Sequence, residues 1–453
     1  ELDPLLIELV RRYPTPLTAA ELADLRVKVH SLDGRRYVRQ LARSGEAMRN
    51  RYDLVLLNLP YPSTLLINRY YTHEFYALIR DLLAAEGVLV LNLPGSTSYL
   101  GEELRDLNHL IESTLRSVFP EVYVIVGERN LWLASPGLAL GNVSIESLQA
   151  QWRQANIAAE AITPEYISYR FDPQRHDWFQ QSLAQAPTSR PNSDLWPSGI
   201  HCGLRYWNAL LSQGWAHMLA WTASLDLWHI VLLSLGSALL LSLWRWRTRR
   251  ASCLPIFWAV GSTGFLGMSI DLTAILALQA LQGYIYQQVG LLVGAFMAGL
   301  ALGSLAATQR LSTHQASTMW LLAIEFVLAC YCGLTAITLK ALFAASGTLP
   351  PIATLVAINV AAGTCVGLEF PVANRLLLQR GGTSHRVAGQ LYALDLIGAF
   401  VASLVVPVIL VPVLGTLNTL VVLTLLKAGS LTLAATRLLT GDDKAALLSH
   451  SMR

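Results

Sequence analysis

The stretch YDLVLLNLPYPSTLLINRYYTHEFY, residues 52 to 76, decides the fold of the N-terminal half of this chain. Its apolar beginning ends at Asn58 in a proline-punctuated loop, which predicts a buried strand that opens into a loop. A helical pattern follows over residues 72–83, and a second apolar run starts at Gly87. Strand, helix and strand in this order predict a right-handed crossover and a parallel sheet.

Ligands of open α/β sheets bind at the carboxyl ends of the strands, so the loop from Asn58 is a candidate wall of a site. Residues 26–34 predict a third strand that ends at Asp33 and Gly34, and residues 122–126 and 131–134 predict a closing pair of strands. An amphipathic segment near the N-terminus carries its apolar residues at Leu5, Leu6, Leu9 and Val10. The predicted fold class is an α/β, Rossmann-like domain of the methyltransferase type.

This order of elements resembles the spermidine synthases, the polyamine aminopropyltransferases, over roughly residues 1 to 140. The matching elements are Glu1-Leu-Asp, Asp33-Gly34, the loop from Asn58, Tyr71-Thr72-His73-Glu74-Phe75-Tyr76, Gly87-Val-Leu-Val and Leu131-Trp-Leu-Ala-Ser.

The resemblance implies that Glu1 holds the ribose hydroxyls of a nucleotide and that Asp33 and Gly34 meet its adenine. A carboxylate can accept two hydroxyl hydrogen bonds, and a glycine lets the backbone approach a base. The implied co-substrate is decarboxylated S-adenosylmethionine, and no other cofactor is expected. In the family a first strand and a Gly-rich loop precede the Glu-Leu-Asp element. We therefore expect the sequence to be a fragment whose nucleotide-binding domain is incomplete at its N-terminus.

Two positions depart from the family pattern in the predicted catalytic loop. The family has an Asp where this chain has Asn58 and a second Asp where it has Tyr61. The attacking amine has a solution pKa of about 10 and must lose a proton before it can attack. Loss of a positioned general base costs on the order of 10²–10⁴-fold in rate. We predict weak or no aminopropyl transfer. An active aminopropyltransferase of polyamine biosynthesis, and a transporter or sensor that uses the domain to bind a polyamine- or nucleotide-like ligand, are the alternatives.

The second half of the chain has the composition of a membrane protein. Hydrophobic residues make up 53% of the chain and charged residues 14%, which is too apolar for a soluble protein of this size. Spans of about 18 to 27 residues are long enough to cross a hydrocarbon core. We predict seven, at 226–244, 256–280, 285–308, 318–342, 351–376, 388–413 and 415–436, with kinks at Pro371 and Pro407. The predicted regions are 1–140, the connecting region 141–224, the membrane domain 225–437 and a tail at 438–453.

The connecting region ends in an aromatic, amphipathic pattern. Residues 186–197 are rich in proline and serine and predict a loop. Apolar residues then recur at helical spacing: Trp207, Leu210, Leu211, Trp215, Met218 and Trp221. Such a helix fits the membrane interface, and the alternative is a helix that packs on the soluble domain.

Basic residues lie in alternate connections of the membrane half, which orients it. The connections near 281–284, 343–350 and 414–417 carry no Lys or Arg. The others carry Arg245, Arg247, Arg249, Arg250, Arg310, Arg375, Arg380 and Arg386, and the chain ends with Lys444 and Arg453. Basic loops stay in the cytoplasm, so seven spans place the soluble domain on the outer face of a bacterial inner membrane. An eighth span at 207–225 would return that domain to the cytoplasm.

Four acidic residues interrupt the apolar spans: Asp271, Glu325, Glu369 and Asp395. An ionised side chain there costs about 2.5–3.5 kcal/mol on insertion scales. They indicate either a cation or proton pathway or pairing between helices with Lys340, Arg375 or glutamines. Two small-residue patterns, Gly299 to Gly303 and Gly363 to Gly367, predict close helix packing.

The membrane half also resembles the bacterial multi-pass proteins that join spermidine-synthase-like domains to transporter-like helices. The matching blocks are Gly283-Tyr-Ile-Tyr-Gln-Gln-Val-Gly, residues 295–303, Phe370-Pro-Val-Ala-Asn and residues 391–399. This resemblance implies an architecture and no particular transported substrate.

Other functions have little support in the composition. The five cysteines have no metal-ligand spacing, so no metal site is predicted. The net charge of +3 comes largely from the basic loops, so it indicates membrane topology and no nucleic-acid partner. The expected partners are the lipid bilayer and a polyamine- or nucleotide-like small molecule.

Overall fold

The computed structural model describes residues 3–43, 51–156, 159, 162–187, 190–248, 253–283, 286–344, 350–379 and 383–439, apart from some side chains of the helices near residues 213–248, 286 and 437–439. The chain divides into two compact units, residues 1–216 and 217–453. Residues 141–216, part of the expected connecting region, thus belong to the first unit.

The first unit is built on a mixed four-stranded sheet with helices. Its strands are β1 (Tyr52–Leu57), β2 (Leu83–Pro94), β3 (Glu121–Ile125) and β4 (Arg129–Ser135), in the order β1-β2-β4-β3. β1 and β2 are parallel, and β4 is antiparallel to both β2 and β3. The predicted parallel pair and closing pair are confirmed.

In the described part of this unit there are eleven helices, and the last of them continues past the unit boundary at residue 216: α1 (Pro4–Arg12), α2 (Pro16–Ala23), α3 (Gly34–Arg43), α4 (Leu65–Asn68), α5 (His73–Leu82), α6 (Glu102–Arg116), α7 (Ile145–Ala155), α8 (Pro164–Arg170), α9 (Pro173–Leu183), α10 (Ser198–Leu211) and α11 (Gln213–Ala223). A short 3₁₀ turn spans Leu140–Asn142. The core lies where α5, α6 and α9 pack on the sheet, around the fully buried Trp132 and Phe179.

The strand predicted at residues 26–34 is wrong. Among the described residues this segment pairs with no strand, and α3 begins at Gly34. The Asp24 carboxylate accepts the Arg26 backbone N–H at 2.9 Å and its guanidinium, so the segment starts as a turn. At its other end the Asp33 carboxylate caps α3 by accepting the Arg36 N–H at 3.0 Å.

The single amphipathic helix predicted after residue 206 is two helices, because the chain is extended at Ser212. The first part of α10 packs on the α/β unit, where Arg205 pairs with Asp106 at 3.0 Å. Its last turn is exposed: Leu210 and Leu211 have 62% and 70% of their surface accessible. The alternative of a helix packed on the soluble domain describes the first part of α10, and the position at a membrane interface stays a prediction. The side chain of Trp215 lies outside the described residues.

The second unit is helical. Its helices are α12 (Leu227–Thr248), α13 (Leu254–Gln282), α14 (Tyr286–Thr313), α15 (Thr318–Ala344), α16 (Pro351–Leu378), α17 (Ser384–Val405) and α18 (Thr416–Leu439). α17 continues as a π-helix over Val406–Leu414, which contains Pro407 and Pro412, whereas α16 stays continuous through Pro371. Within the described residues six helical segments, the last six predicted spans, are long and apolar enough to cross a membrane. The other predicted span, 226–244, coincides with α12.

Glycines bring two pairs of these helices into close contact. A Cβ at Gly299 or Gly303 would overlap carbonyl oxygens of α16, and a Cβ at Gly363 or Gly367 would overlap those of α14. The predicted small-residue packing faces are confirmed, and they face each other. Gly264 and Gly398 make the same kind of approach between α13 and α17.

Candidate functional site

The predicted catalytic loop lies at the carboxyl end of β1, beside the same end of its parallel neighbour β2. Asn58 is exposed, and its Oδ1 accepts a hydrogen bond from Asn92 Nδ2 at 3.0 Å. The sequence from Asn58 to Thr72 contains no Asp or Glu. The loop therefore presents amides, and no carboxylate of its own, at the position where a ligand of an open sheet binds.

Tyr61 packs its ring edge-on against Tyr206 of α10, with the ring centroids 5.3 Å apart. Burial, and then the neighbouring Tyr206, raises the pKa of the Tyr61 phenol. Tyr61 is therefore neutral at physiological pH and cannot replace a carboxylate as a proton acceptor or as an anion.

The loop is held firmly by its neighbours. The Tyr71 hydroxyl donates to the carbonyl oxygens of Leu59 and Pro60 at 3.1 and 2.9 Å. On the other side Gly203 lies against the Pro62 carbonyl, where a Cβ would overlap it. The neutral side chains of Asn58 and Tyr61 are thus presented on a fixed backbone.

The predicted nucleotide-binding residues have different environments. Glu1 lies outside the described residues. Asp33 is buried and forms an ion pair with Arg69, while the Tyr70 hydroxyl donates to the same carboxylate oxygen at 3.4 Å. Gly34 is the first residue of α3. A Cβ added at this position would lie 3.6 Å from the Tyr70 ring, which is an ordinary van der Waals contact. The Asp33 carboxylate is therefore already bound by Arg69 and Tyr70. An adenine that binds Asp33 would share this carboxylate with these two side chains.

A buried ionic cluster that the sequence patterns did not reveal connects this site to the segment 190–197. Asp194 pairs with the fully buried Arg35 of α3, and its Oδ1 accepts from Thr72 Oγ1 at 2.9 Å. The Asp194 backbone N–H donates to Glu74 Oε2 at 2.9 Å. Burial, and then the Asp194 charge, raises the pKa of Glu74 to about 7.

The nearby Asn192 closes the same region. Its side chain donates to Asn68 Oδ1 at 2.9 Å and to the Tyr71 carbonyl at 2.8 Å, and its carbonyl accepts from the His73 N–H at 2.8 Å. The segment has the irregular backbone that was predicted. Its composition did not indicate that Asn192 is buried or that this residue supports the predicted catalytic loop.

A cavity of about 490 Å³ lies along the first half of β1, away from Asn58 and Tyr61. Its basic lining residues are Arg26, Lys28 and His30, and α3 and α5 contribute Tyr37 and Ile79. None of the predicted site residues lines it.

The acids predicted in the membrane half are buried or partly buried. Asp271 is 7% exposed and accepts from Asn359 Nδ2 at 2.8 Å. Glu325 and Glu369 both lie near Lys427 of α18, with N–O distances of 2.9 and 3.7 Å. The predicted pairing with Lys340 or Arg375 is wrong, because those side chains are exposed. Lys427, within the span predicted at 415–436, was not predicted as a partner, since its pairing with Glu325 joins residues 102 positions apart.

The fold and this site together define a class: an α/β domain with a loop at the carboxyl ends of two parallel strands, followed in the chain by a helical region with six described segments long and apolar enough to cross a membrane. The spermine/spermidine synthase domain matches residues 1–132. Residues 1–132 therefore carry a domain of the spermidine synthase type.

The similar proteins are polyamine aminopropyltransferases. That of Pyrobaculum calidifontis is 29% identical over 172 residues, 38% of this chain and 52% of the relative. Those of Korarchaeum cryptofilum and Oceanobacillus iheyensis are 34% and 32% identical over 95 and 93 residues, 21% and 20% of this chain and 27% and 17% of the relatives. The chain thus spans at most about half the length of these relatives.

Proposed function

We propose that this is a membrane protein whose spermidine-synthase-type domain binds a nucleotide- or polyamine-like molecule and transfers aminopropyl groups weakly or not at all. The observation that carries the proposal is the neutral loop: Asn58 bonded to Asn92, and Tyr61 packed on Tyr206.

The chemistry of transfer requires a proton acceptor near the attacking amine. Asn58 has an amide, which does not accept a proton at physiological pH, and Tyr61 holds its own proton more tightly than a free phenol does. The partly buried Glu74 does not replace them, because its carboxylate already accepts the Asp194 backbone N–H within the ionic cluster. A rate loss on the order of 10²–10⁴-fold follows for a lost general base.

The same replacements weaken binding of a cationic amine. The negative charge of each family Asp would attract the diamine substrate, which is a dication in water. Asn58 and Tyr61, which replace these residues, are both uncharged. The nucleotide half of the site depends on other residues, Glu1, Asp33 and Gly34, so binding of decarboxylated S-adenosylmethionine or methylthioadenosine is expected to survive loss of transfer.

The test measures binding and turnover on the full-length protein in detergent. Methylthioadenosine binding is measured by calorimetry, and aminopropyl transfer from decarboxylated S-adenosylmethionine to putrescine is measured by mass spectrometry. We expect binding with little turnover in the natural protein, and at least a tenfold gain in turnover in the Asn58→Asp, Tyr61→Asp double variant. The Asn92 amide can donate to the new carboxylate as it does to Asn58.

The matched control is the single variant Tyr61→Asn, which keeps Asn58. It changes the size of the side chain at position 61 as Tyr61→Asp does, but adds no charge. It should bind methylthioadenosine and gain no turnover. Robust turnover by the natural protein would overturn the loss of activity, and absence of methylthioadenosine binding would overturn the ligand-binding role.

A further inference from the structure

A lysine is buried among helices of the second unit with two glutamates. Lys427 of α18, Glu325 of α15 and Glu369 of α16 have at most 1% of their surface exposed. Lys427 Nζ lies 2.9 Å from Glu325 Oε1 and 3.7 Å from Glu369 Oε2. Charges removed from water at this depth must be compensated within the protein.

The donors of Lys427 are already used by other groups. Its ammonium donates to Glu325 Oε1, to Ser262 Oγ at 3.1 Å and to Thr263 Oγ1, with the Ala259 carbonyl a further acceptor at 3.3 Å. Thr263 in turn donates its hydroxyl proton to Glu369 Oε2. An ammonium has three protons, so it has none left for Glu369.

The second oxygen of Glu369 is left without a hydrogen-bond partner. Oε1 is buried and has no hydrogen-bond partner among the described residues. The residue as a whole is only 1% exposed. Buried carboxylate oxygens almost always have a partner. A ligand within hydrogen-bond distance of Oε1 would supply one.

A cavity lies beside Glu369. Its volume is about 300 Å³, and residues of α13, α14, α16 and α17 line it. The polar lining residues are Thr263, Ser304, Glu369 and Asp395. The rest of the lining is apolar or aromatic: Val260, Leu300, Ala301, Val366, Gly367, Phe370 and Tyr392.

The charges around the cavity favour a cation. In their ionised forms Glu325, Glu369 and Lys427 sum to two negative charges and one positive charge, which leaves one negative charge. Asp395, on the cavity wall, adds a second. An anion or a neutral apolar molecule would leave the negative charge of the wall uncompensated.

The size and the lining favour an organic cation. Within the described residues no group of three or more His, Cys, Asp or Glu side chains could hold a metal ion. The volume is at the lower end of the range for small-molecule pockets, which are mostly apolar with a few polar groups. Aromatic rings such as those of Phe370 and Tyr392 are typical of ammonium sites.

We propose that this cavity binds a small organic ammonium ion, with Glu369 and Asp395 as its anionic groups and the rings of Phe370 and Tyr392 against its alkyl part. The Thr263 hydroxyl donates to Oε2 of Glu369, which leaves Oε1 for the ligand. This proposal is independent of the role of the N-terminal domain.

The test is ligand binding to the full chain in lipid nanodiscs at constant pH. The probes are butylammonium and doubly protonated putrescine (1,4-diammoniobutane). Na⁺ and K⁺ serve as competing inorganic cations, and binding is measured by calorimetry. We expect saturable binding of an ammonium probe that equal concentrations of Na⁺ or K⁺ do not displace. Glu369→Gln should weaken it at least tenfold.

The matched control is Asp271→Asn, which neutralises another buried acid of the same unit that does not line the cavity. It should leave binding unchanged. Because Glu369→Gln could disturb folding, Ala301→Phe is the second variant: it fills the cavity, leaves both acids in place, and should abolish binding in protein that elutes as the natural protein does. The proposal would be overturned if Glu369→Gln or Ala301→Phe bound the ammonium probe as well as the natural protein does. It would also be overturned if the measured heat came only from protonation or from binding of Na⁺ and K⁺.

Discussion

Asp194 is the residue that joins the segment before α10 to the helix after Asp33. Its carboxylate binds Arg35, which is 1% exposed and has its remaining hydrogen bond to the Arg69 carbonyl at 2.8 Å. Arg69 itself holds Asp33. One carboxylate thus influences the position of the residue that the family resemblance assigns to the adenine.

Removal of Asp194 should strongly destabilise the first unit. Asp194→Ala leaves the Arg35 guanidinium buried without its counter-charge, and breaking a buried pair in this way costs about 3–5 kcal/mol. We expect the backbone amides of α5 to exchange hydrogen faster, by an amount that corresponds to this loss of free energy. Hydrogen exchange followed by mass spectrometry measures this rate.

Asp24→Ala is the control for this change. It removes the partner of Arg26 in an ion pair whose arginine is 89% exposed, and exposed pairs are screened by solvent. Exchange in α5 should be unchanged. Equal protection in Asp194→Ala and in the natural protein would show that the Arg35 pair does not stabilise this unit.

At the scale of elements, periodicity and glycine spacing predicted what depends on local sequence. The strands on either side of α5 and the facing glycines of α14 and α16 follow from patterns within one segment. The third strand at residues 26–34 was predicted wrongly because Asp24 and Asp33 form local turns and caps there. The Arg35–Asp194 and Lys427–Glu325 pairs join residues 159 and 102 positions apart, which no local pattern can indicate.

The contact between α14 and α16 should depend on the absence of a side chain at Gly363. In Gly363→Ala the added methyl group meets the Phe296 carbonyl oxygen, so the helices must separate. Overpacking of this kind costs about 1–3 kcal/mol. We expect a lower thermal unfolding midpoint in nanodiscs.

Gly333→Ala in α15 provides the matched comparison, since no atom lies within 4 Å of a Cβ there. The substitution should leave the midpoint unchanged or raise it, because alanine favours helix by about 1 kcal/mol over glycine. A fall of the same size in both variants would mean that helix contact is not the cause.

For the whole molecule, the number of membrane crossings decides on which side the N-terminal domain lies. The break at Ser212 bears on the alternative of an eighth span. α11 has 11 residues, and at about 1.5 Å per residue it is too short to cross a hydrocarbon core of about 30 Å. α10 is committed in part to the α/β unit through Arg205 and Asp106. The prediction therefore stays at seven crossings, by α12 to α18, of which the last six are long and apolar enough to span within the described residues.

An odd number of crossings puts the N-terminal unit and the C-terminus on opposite sides of the membrane. With seven crossings, the basic connections predict a cytoplasmic C-terminus and a spermidine-synthase-type domain outside. Fusions of green fluorescent protein, which fluoresces in the cytoplasm, should be bright after residue 250 and at the C-terminus. Alkaline phosphatase, which is active outside it, should be active after residue 283 and at the N-terminus. If the N-terminal and C-terminal fusions report the same side, an even number of segments crosses the membrane, and the domain has access to cytoplasmic nucleotides.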